Sequence, residues 1–487
     1  MPRVGRRSPS AGLRGACLLA GLVAVAAGCS DAPRAGVSQV TYTPIPAGHD
    51  YPADPAALLA AVAAGDQKRL SEHAWHLWAG LNAPSGQLDQ GKELPIWETW
   101  FAPDELYALD PSACVLPERP RSMHRHLEIP RQVGDFAART PASVVTAFNR
   151  YSLEVVENVC ANHYDSSSTL DALNASFGAA TPVVARSITD FAERSIALKP
   201  TFALVKGSGV TVMSYWAGAQ ASSCPTQPQP LTWNRCVAVV PPGTPVPSSP
   251  TQVACTFAAS CDAANATPPG PFTTVETAAP VIPLDRFYSF RLKPDEVADV
   301  QALIDGGGAF FANGATPEPG DYLVLVAMHV TTKELPRWTW QTFWWSPFPD
   351  DGPGGEFRTA DVTGEFRNYQ TCTADSMLDP AEPGDGAAGG AAPSGQPVVC
   401  FNPYLETGLD PQGQFSNCMT CHQLAAWPNF STNYQFSSYI SPADPGLFDC
   451  NTKLDFLWSV TRAVPVESPA QPCSGSPSRA AWARRLH

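Results

Sequence analysis

The chain has 487 residues, 44% of them hydrophobic and 16% charged, enough apolar material for a large core and too much for a disordered protein. A formal net charge of −14 excludes nucleic acid or an anionic lipid surface as the main partner, because both reward clustered Lys and Arg. Fifty prolines and 36 glycines argue against a helical bundle and for a loop-rich α+β protein.

At the start, Arg3, Arg6, Arg7 and Arg14 precede the apolar run ACLLAGLVAVAAG at 16–28. The run is shorter than the roughly 20 apolar residues that cross a bilayer, so 1–28 reads as an export signal. Ala26, Ala27 and Gly28 before Cys29 resemble a bacterial lipobox, with Ala in place of its usual first Leu. Cys29 is then the lipidated first residue of the mature chain and its only membrane attachment. An ordinary secretory signal cut nearby is the other reading. Both place the body outside the cytoplasm, in the periplasm or at the outer membrane.

Cysteine usage agrees with that compartment. Of 14 cysteines, Cys17 leaves with the signal, Cys29 carries lipid, and Cys418 and Cys421 share a motif. An even number remains, and disulfides are the default in an oxidising compartment. Spacing alone suggests Cys224 with Cys236, Cys255 with Cys261, Cys372 with Cys400, Cys450 with Cys473, and Cys114 with Cys160.

Residues 29–54 read as an extended tether, and 55–81 as helical with a break near Gly65. Apolar residues at helical spacing predict further helices over 142–159, 168–177 and 184–197, making the N-terminal half helix-rich. β-branched and aromatic residues then predict strands within 201–218, 280–292, 320–334 and 337–346, in a mostly antiparallel sheet with one helix at 295–304. Residues 221–279, dense in Pro, Ser, Thr and Cys, read as a disulfide-tied insertion in a body spanning 55–377. Residues 378–397 read as a flexible linker to a C-terminal region, 398–465, followed by a tail, 466–487.

That C-terminal region contains SNCMTCHQ, with one Cys-x-x-Cys-His. Two thiols one helical turn apart can add to the two vinyl groups of haem, while His422 presents its imidazole to the iron. A Cys418–Cys421 disulfide, a zinc knuckle and a thioredoxin-like pair are the competing readings. Zinc lacks a second ligand pair at similar spacing, and the βαβ context of a redox pair is absent. In an exported chain the pentapeptide predicts one covalent haem c on Cys418 and Cys421, with His422 as proximal ligand.

The distal ligand has to come from upstream or be water. No Met follows Met419, which lies inside the motif, and His487 sits in the tail. Met328 and His329, adjacent on the strand VLVAMHVTT, point to opposite faces, and His329 is preferred because a His among Val and Ala needs a partner or a ligand role. Met377 is a further candidate. His73 and His76 share a helical face, and His124 and His126 share one face of an extended segment; both pairs read as solvated polar faces for lack of a third ligand. In RWTWQTFWW, Trp338, Trp340 and Trp344 fall on one side of a strand and Phe343 and Trp345 on the other, for which burial in packing is the ordinary account.

Three blocks together resemble a family of large exported monohaem c-type cytochromes of environmental bacteria: AWHLWAGLNAP with LPIWETWFAPDELYAL (74–109), GDYLVLVAMHVTTKELPRWTWQTFWWSP (320–347), and FNPYLETG through SNCMTCHQLAAWP to KLDFLWSV (401–460). The resemblance implies haem on Cys418 and Cys421 with His422 on the iron, and names no substrate. The haem-binding region is not of class I type, since no Met ligand follows the motif. The expected function is electron transfer with a redox partner, for which a basic protein suits the acidic chain. The alternative is a haem c oxidoreductase with an open sixth iron position, acting on an organic substrate or peroxide, in which His329 or Arg337 would serve bound oxygen species.

Overall fold

A computed structural model describes residues 39–107, 121–122, 149–178, 180–266, 269–305, 315–382, 393–407, 413–428 and 439–460. The export signal with Cys29, and Cys114, His124, His126, Cys473 and His487, lie outside these residues. Among the described residues no helix is long and apolar enough to cross a membrane.

Six strands build the main sheet: β1 (Arg150–Tyr151), β2 (Ile196–Val205), β3 (Ser289–Arg291), β4 (Tyr322–Thr332), β5 (Thr339–Trp345) and β6 (Tyr369–Thr373). They run in the order β6-β5-β4-β2-β1, with β3 also on β4, and every pairing is antiparallel. β4, YLVLVAMHVTT, is the spine: it is paired along both edges and covered on both faces, which is why its sequence is a nearly unbroken apolar run. A bulge against β2 falls between Leu325 and Ala327.

Helices α1 (Pro55–Ala64) and α2 (Gln67–Leu81) cover one face. Asp54 caps α1 by accepting the Ala56 N–H, and α1 stops at Gly65, whose φ of 63° is a left-handed stop that favours glycine. Asp66 caps α2 in the same way through Arg69. From α2, Trp78 stacks on Phe343 of β5 with centroids 4.2 Å apart, and Trp75 meets the same ring edge-on at 5.4 Å. The opposite face is covered by α3 (Leu153–Asn162), α4 (Ser167–Ser176) and parts of 413–428 and 439–460, which share a second apolar cluster with Trp338 and Trp340. A helix α5 (Val297–Asp305) falls where one was expected.

The chain is thus a mixed α and β protein with mostly antiparallel sheets; the pairing of Val281–Pro283 with Cys236–Val240 is parallel. The helix expected over 184–197 is absent. A short 3-10 turn at Val183–Ala185 gives way to an irregular segment, because Ser187 bridges to Lys453 and the Phe191 N–H is taken by the Asp455 carboxylate, before β2 begins at Ile196. Tertiary partners override local periodicity there.

Cys372–Cys400 forms as expected, but the insertion is stapled by Cys224–Cys261 and Cys236–Cys255, not by the neighbouring pairs. The hairpin of Thr251–Ala258 with Phe272–Ala279 folds Cys255 back onto the strand Cys236–Val240, so one bridge nests inside the other. Cys160 and Cys450 are disulfide-bonded too; their expected partners, Cys114 and Cys473, are outside the described residues. The ends of the expected linker are anchored: Leu378–Asp379 pairs with Gln396–Pro397, and Glu382 is buried against Arg337. Its centre, 383–392, is outside the described residues.

Candidate functional site

The motif forms a helix, α6 (Cys418–His422), whose start is fixed by Asn417. The Asn417 side chain accepts the Thr420 N–H at 3.0 Å and donates to the carbonyls of Ser376 and Val398 at 2.9 and 3.0 Å. Cys418 and Cys421 form no disulfide, whereas every other described cysteine is disulfide-bonded. Burial, with the charge of Glu406 behind it, holds the Cys418 thiol well above its ordinary pKa.

His422 lies with one ring nitrogen committed and the other open. Nδ1 is 2.8 Å from the Phe456 carbonyl, and a carbonyl can only accept, so Nδ1 carries the proton and Nε2 the lone pair. Among the described residues Nε2 has no hydrogen-bond partner. Asp455 and Phe456 both take left-handed φ, 45° and 69°, which aims that carbonyl. Asp455 is held there by Lys333 at 2.7 Å and by the Phe191 N–H at 3.1 Å. The ring sits against Trp340 at 4.5 Å and stacks on Trp458 at 5.5 Å. Burial pushes its pKa down to about 3, against the Phe456 hydrogen bond and with the charges of Lys199 and His329 adding to the effect, so the imidazole is neutral at ordinary pH.

Residues 400–407, FNPYLET after Cys400, fasten this helix to the sheet. Cys400 bridges to Cys372 on β6 and its carbonyl meets the Cys418 thiol at 3.8 Å; the Asn402 side chain donates to Thr342 Oγ1 on β5 at 2.7 Å; Glu406 binds His329 Nε2 on β4. The other Glu406 oxygen takes the Asn402 N–H. Cys372, Thr342 and His329 are directly opposed across the strands, and Lys199 of β2 completes the row. Cross-strand neighbours share a face, so these four side chains look toward the motif. Among the described residues Lys199 forms no hydrogen bond or ion pair; burial lowers its pKa, opposed by the charges of Glu406, Cys421 and Cys418.

The other sequence candidates are placed differently. Met328 is 0% exposed and packs with Phe343 on the helix-covered face. Met377 is buried near the motif, with its sulfur accepting the Ile440 N–H at 3.3 Å. His73 is not solvated: it is 2% exposed, between Asp50 at 3.2 Å and Glu334 at 3.1 Å. Burial opposes its charge, yet the hydrogen bonds and charges of those carboxylates raise its pKa to about 9. His76 meets Asp361 at 2.9 Å, and among the described residues no group of three or more His, Cys, Asp or Glu could hold a metal ion. Arg337 is bound by Glu382 at 2.7 Å.

The aromatic run is buried throughout. Trp344 and Trp345 pack in the larger core and Trp338 and Trp340 in the motif's cluster, so packing accounts for the run, with Trp340 also touching His422. The Trp340 N–H donates to Asp375, whose carboxyl burial pushes up to about 6. A cleft of about 680 Å³ lies elsewhere, lined by Arg286, Phe348, Asp350 and Arg358 among others, and includes none of these residues.

Sequence reasoning missed Lys199, Glu406 and Phe456. The lone charge in IALKPTFALV was a visible signal for the first; nothing local marks the other two. Comparison with family models, curated proteins and solved structures gave no match. Chemically, two thiols outside any disulfide, one turn apart and beside a neutral imidazole with an open Nε2, form the donor set that a covalent haem needs.

Proposed function

We propose that this chain is an exported, lipid-anchored monohaem c-type cytochrome that transfers electrons outside the cytoplasm. The observation that carries the reading is the state of the motif: Cys418 and Cys421 are spared from disulfides, and His422 is oriented with its Nε2 lone pair free. Cys418 and Cys421 would hold the haem through thioethers, His422 would bind its iron, and the group would supply one-electron chemistry. The Phe456 carbonyl fixes the His422 tautomer and ring orientation, the usual task of a partner behind a metal-binding imidazole. Trp340 and Trp458 flank the ring.

The Cys372–Cys400 bridge and the Asn402 and Glu406 hydrogen bonds make sheet and motif one rigid piece, which suits a site whose charge changes but whose shape should not. The disulfides fit an oxidising compartment, lipidation is assigned to Cys29, and the net charge of −14 suits a basic redox partner. His329 lies beside Lys199 on the sheet face that Glu406 joins to the motif segment.

The visible spectrum of the matured protein, oxidised and reduced, with and without carbon monoxide, tests the role. A low-spin spectrum indifferent to carbon monoxide is expected of a sealed carrier. Ready carbon monoxide binding with a high-spin ferric form would instead establish the oxidoreductase with an open sixth position.

A further inference from the structure

Residues 400–407 engage the row of the sheet one strand at a time. Cys400 takes Cys372 on β6, Asn402 takes Thr342 on β5 and Glu406 takes His329 on β4. The row has one more member, Lys199 on β2, directly opposite His329, and the segment supplies nothing for it. Glu406 is within electrostatic reach of Lys199, but its two oxygens are occupied by His329 and the Asn402 N–H. The Lys199 amine, half-buried on the face that carries the motif, has no hydrogen bond or ion pair among the described residues and so is open to a ligand.

Among the described residues the competing distal groups are each otherwise engaged. His329 has its outer nitrogen, Nε2, on Glu406, and only Nδ1, beside its own Cβ, is without a partner. Met328 faces the opposite core, and the Met377 sulfur holds the Ile440 N–H. Arg337 is bound to Glu382, and a guanidinium does not give up its proton to become a ligand. Lysine differs: its four-carbon stem is flexible and its amine, once deprotonated, has a lone pair.

We infer that Lys199 Nζ is the sixth ligand of the haem iron, bound opposite His422, with the Glu406–His329 pair as the hydrogen-bonded wall beside it. The Nζ lone pair makes the bond and the ammonium proton leaves to water. The inference rests on the haem reading above and assigns His329 a positioning role through Glu406.

The test uses the full chain matured with haem, as wild type, Lys199→Ala, Lys199→Arg and His329→Ala, read by electron paramagnetic resonance and near-infrared magnetic circular dichroism of the ferric forms. The wild type should be low-spin with a histidine–amine signature. Lys199→Ala and Lys199→Arg should both lose the low-spin signal and bind carbon monoxide when reduced; Arg keeps the charge and length, which separates ligation from folding. Added propylamine should restore the low-spin form of Lys199→Ala, and His329→Ala should stay low-spin. A high-spin wild type, a low-spin spectrum that survives both Lys199 substitutions, or its loss in His329→Ala with Lys199→Ala unaffected would each overturn the inference while leaving the haem intact. A wild type without covalent haem would remove the haem reading and this inference with it.

Discussion

Met328 and His329 are adjacent in β4 and opposite in surroundings. The Met328 side joins Phe343, Trp75 and Trp78 in a dry aromatic core beneath α2, where even the histidine at its margin, His73, has both ring nitrogens on carboxylates. The His329 side carries Lys199, Thr342 and Trp340 toward a helix whose two thiols form no disulfide, and among the described residues its histidines each keep one nitrogen unpartnered. Buried polar groups are ordinarily satisfied, and the open Nδ1 of His329 suits the ligand proposed for this face.

Substitutions should separate the two. The largest effect belongs to the motif face: Cys418→Ser or Cys421→Ser should abolish two-thioether attachment, read as loss of the wild-type haemochrome spectrum, with the polypeptide still exported. On the opposite face, Phe343→Ala removes the ring that Trp75 and Trp78 pack on and should cost about 3–5 kcal/mol in denaturant unfolding. An intact stability there would mean that α2 does not depend on this stack.

Between the faces, replacing Cys372 and Cys400 together by Ala unties the motif segment and should cost about 2–4 kcal/mol, with the haem spectrum broadened but present. The smallest effect is a pH dependence. His73 has a folded pKa raised to about 9 from 6.5, so its contribution is fully present below pH 6.5 and is lost as pH rises through 9. The stability gap between wild type and His73→Gln should therefore shrink across that window; a gap that is flat or widens would show that the imidazole is not charged between Asp50 and Glu334.

The strands were legible because β-branched and aromatic runs such as YLVLVAMHVTT carry their own pattern, and α1 and α2 because Gly65 marks the break between two apolar periods. The segment 184–197 was not, since its conformation is set by Lys453 and Asp455 far along the chain. The nested disulfides failed to follow spacing for the same reason: a hairpin decides which sulfurs meet. In the site, Cys418, Cys421 and His422 are local in sequence and were readable. Lys199 and Glu406 come together only through strand register and the path of residues 400–407, and the carbonyl of Phe456 matters for its direction rather than its side chain. His73 looked like a surface histidine because Glu334, its buried partner, is 261 residues away.

The central claim is that Cys418 and Cys421 hold a haem covalently. The mass of the matured chain after denaturation, with its pyridine haemochrome spectrum, tests it most directly. The account predicts one haem retained per chain through denaturation; a colourless chain whose mass shows Cys418 and Cys421 unmodified or joined in a disulfide would contradict it.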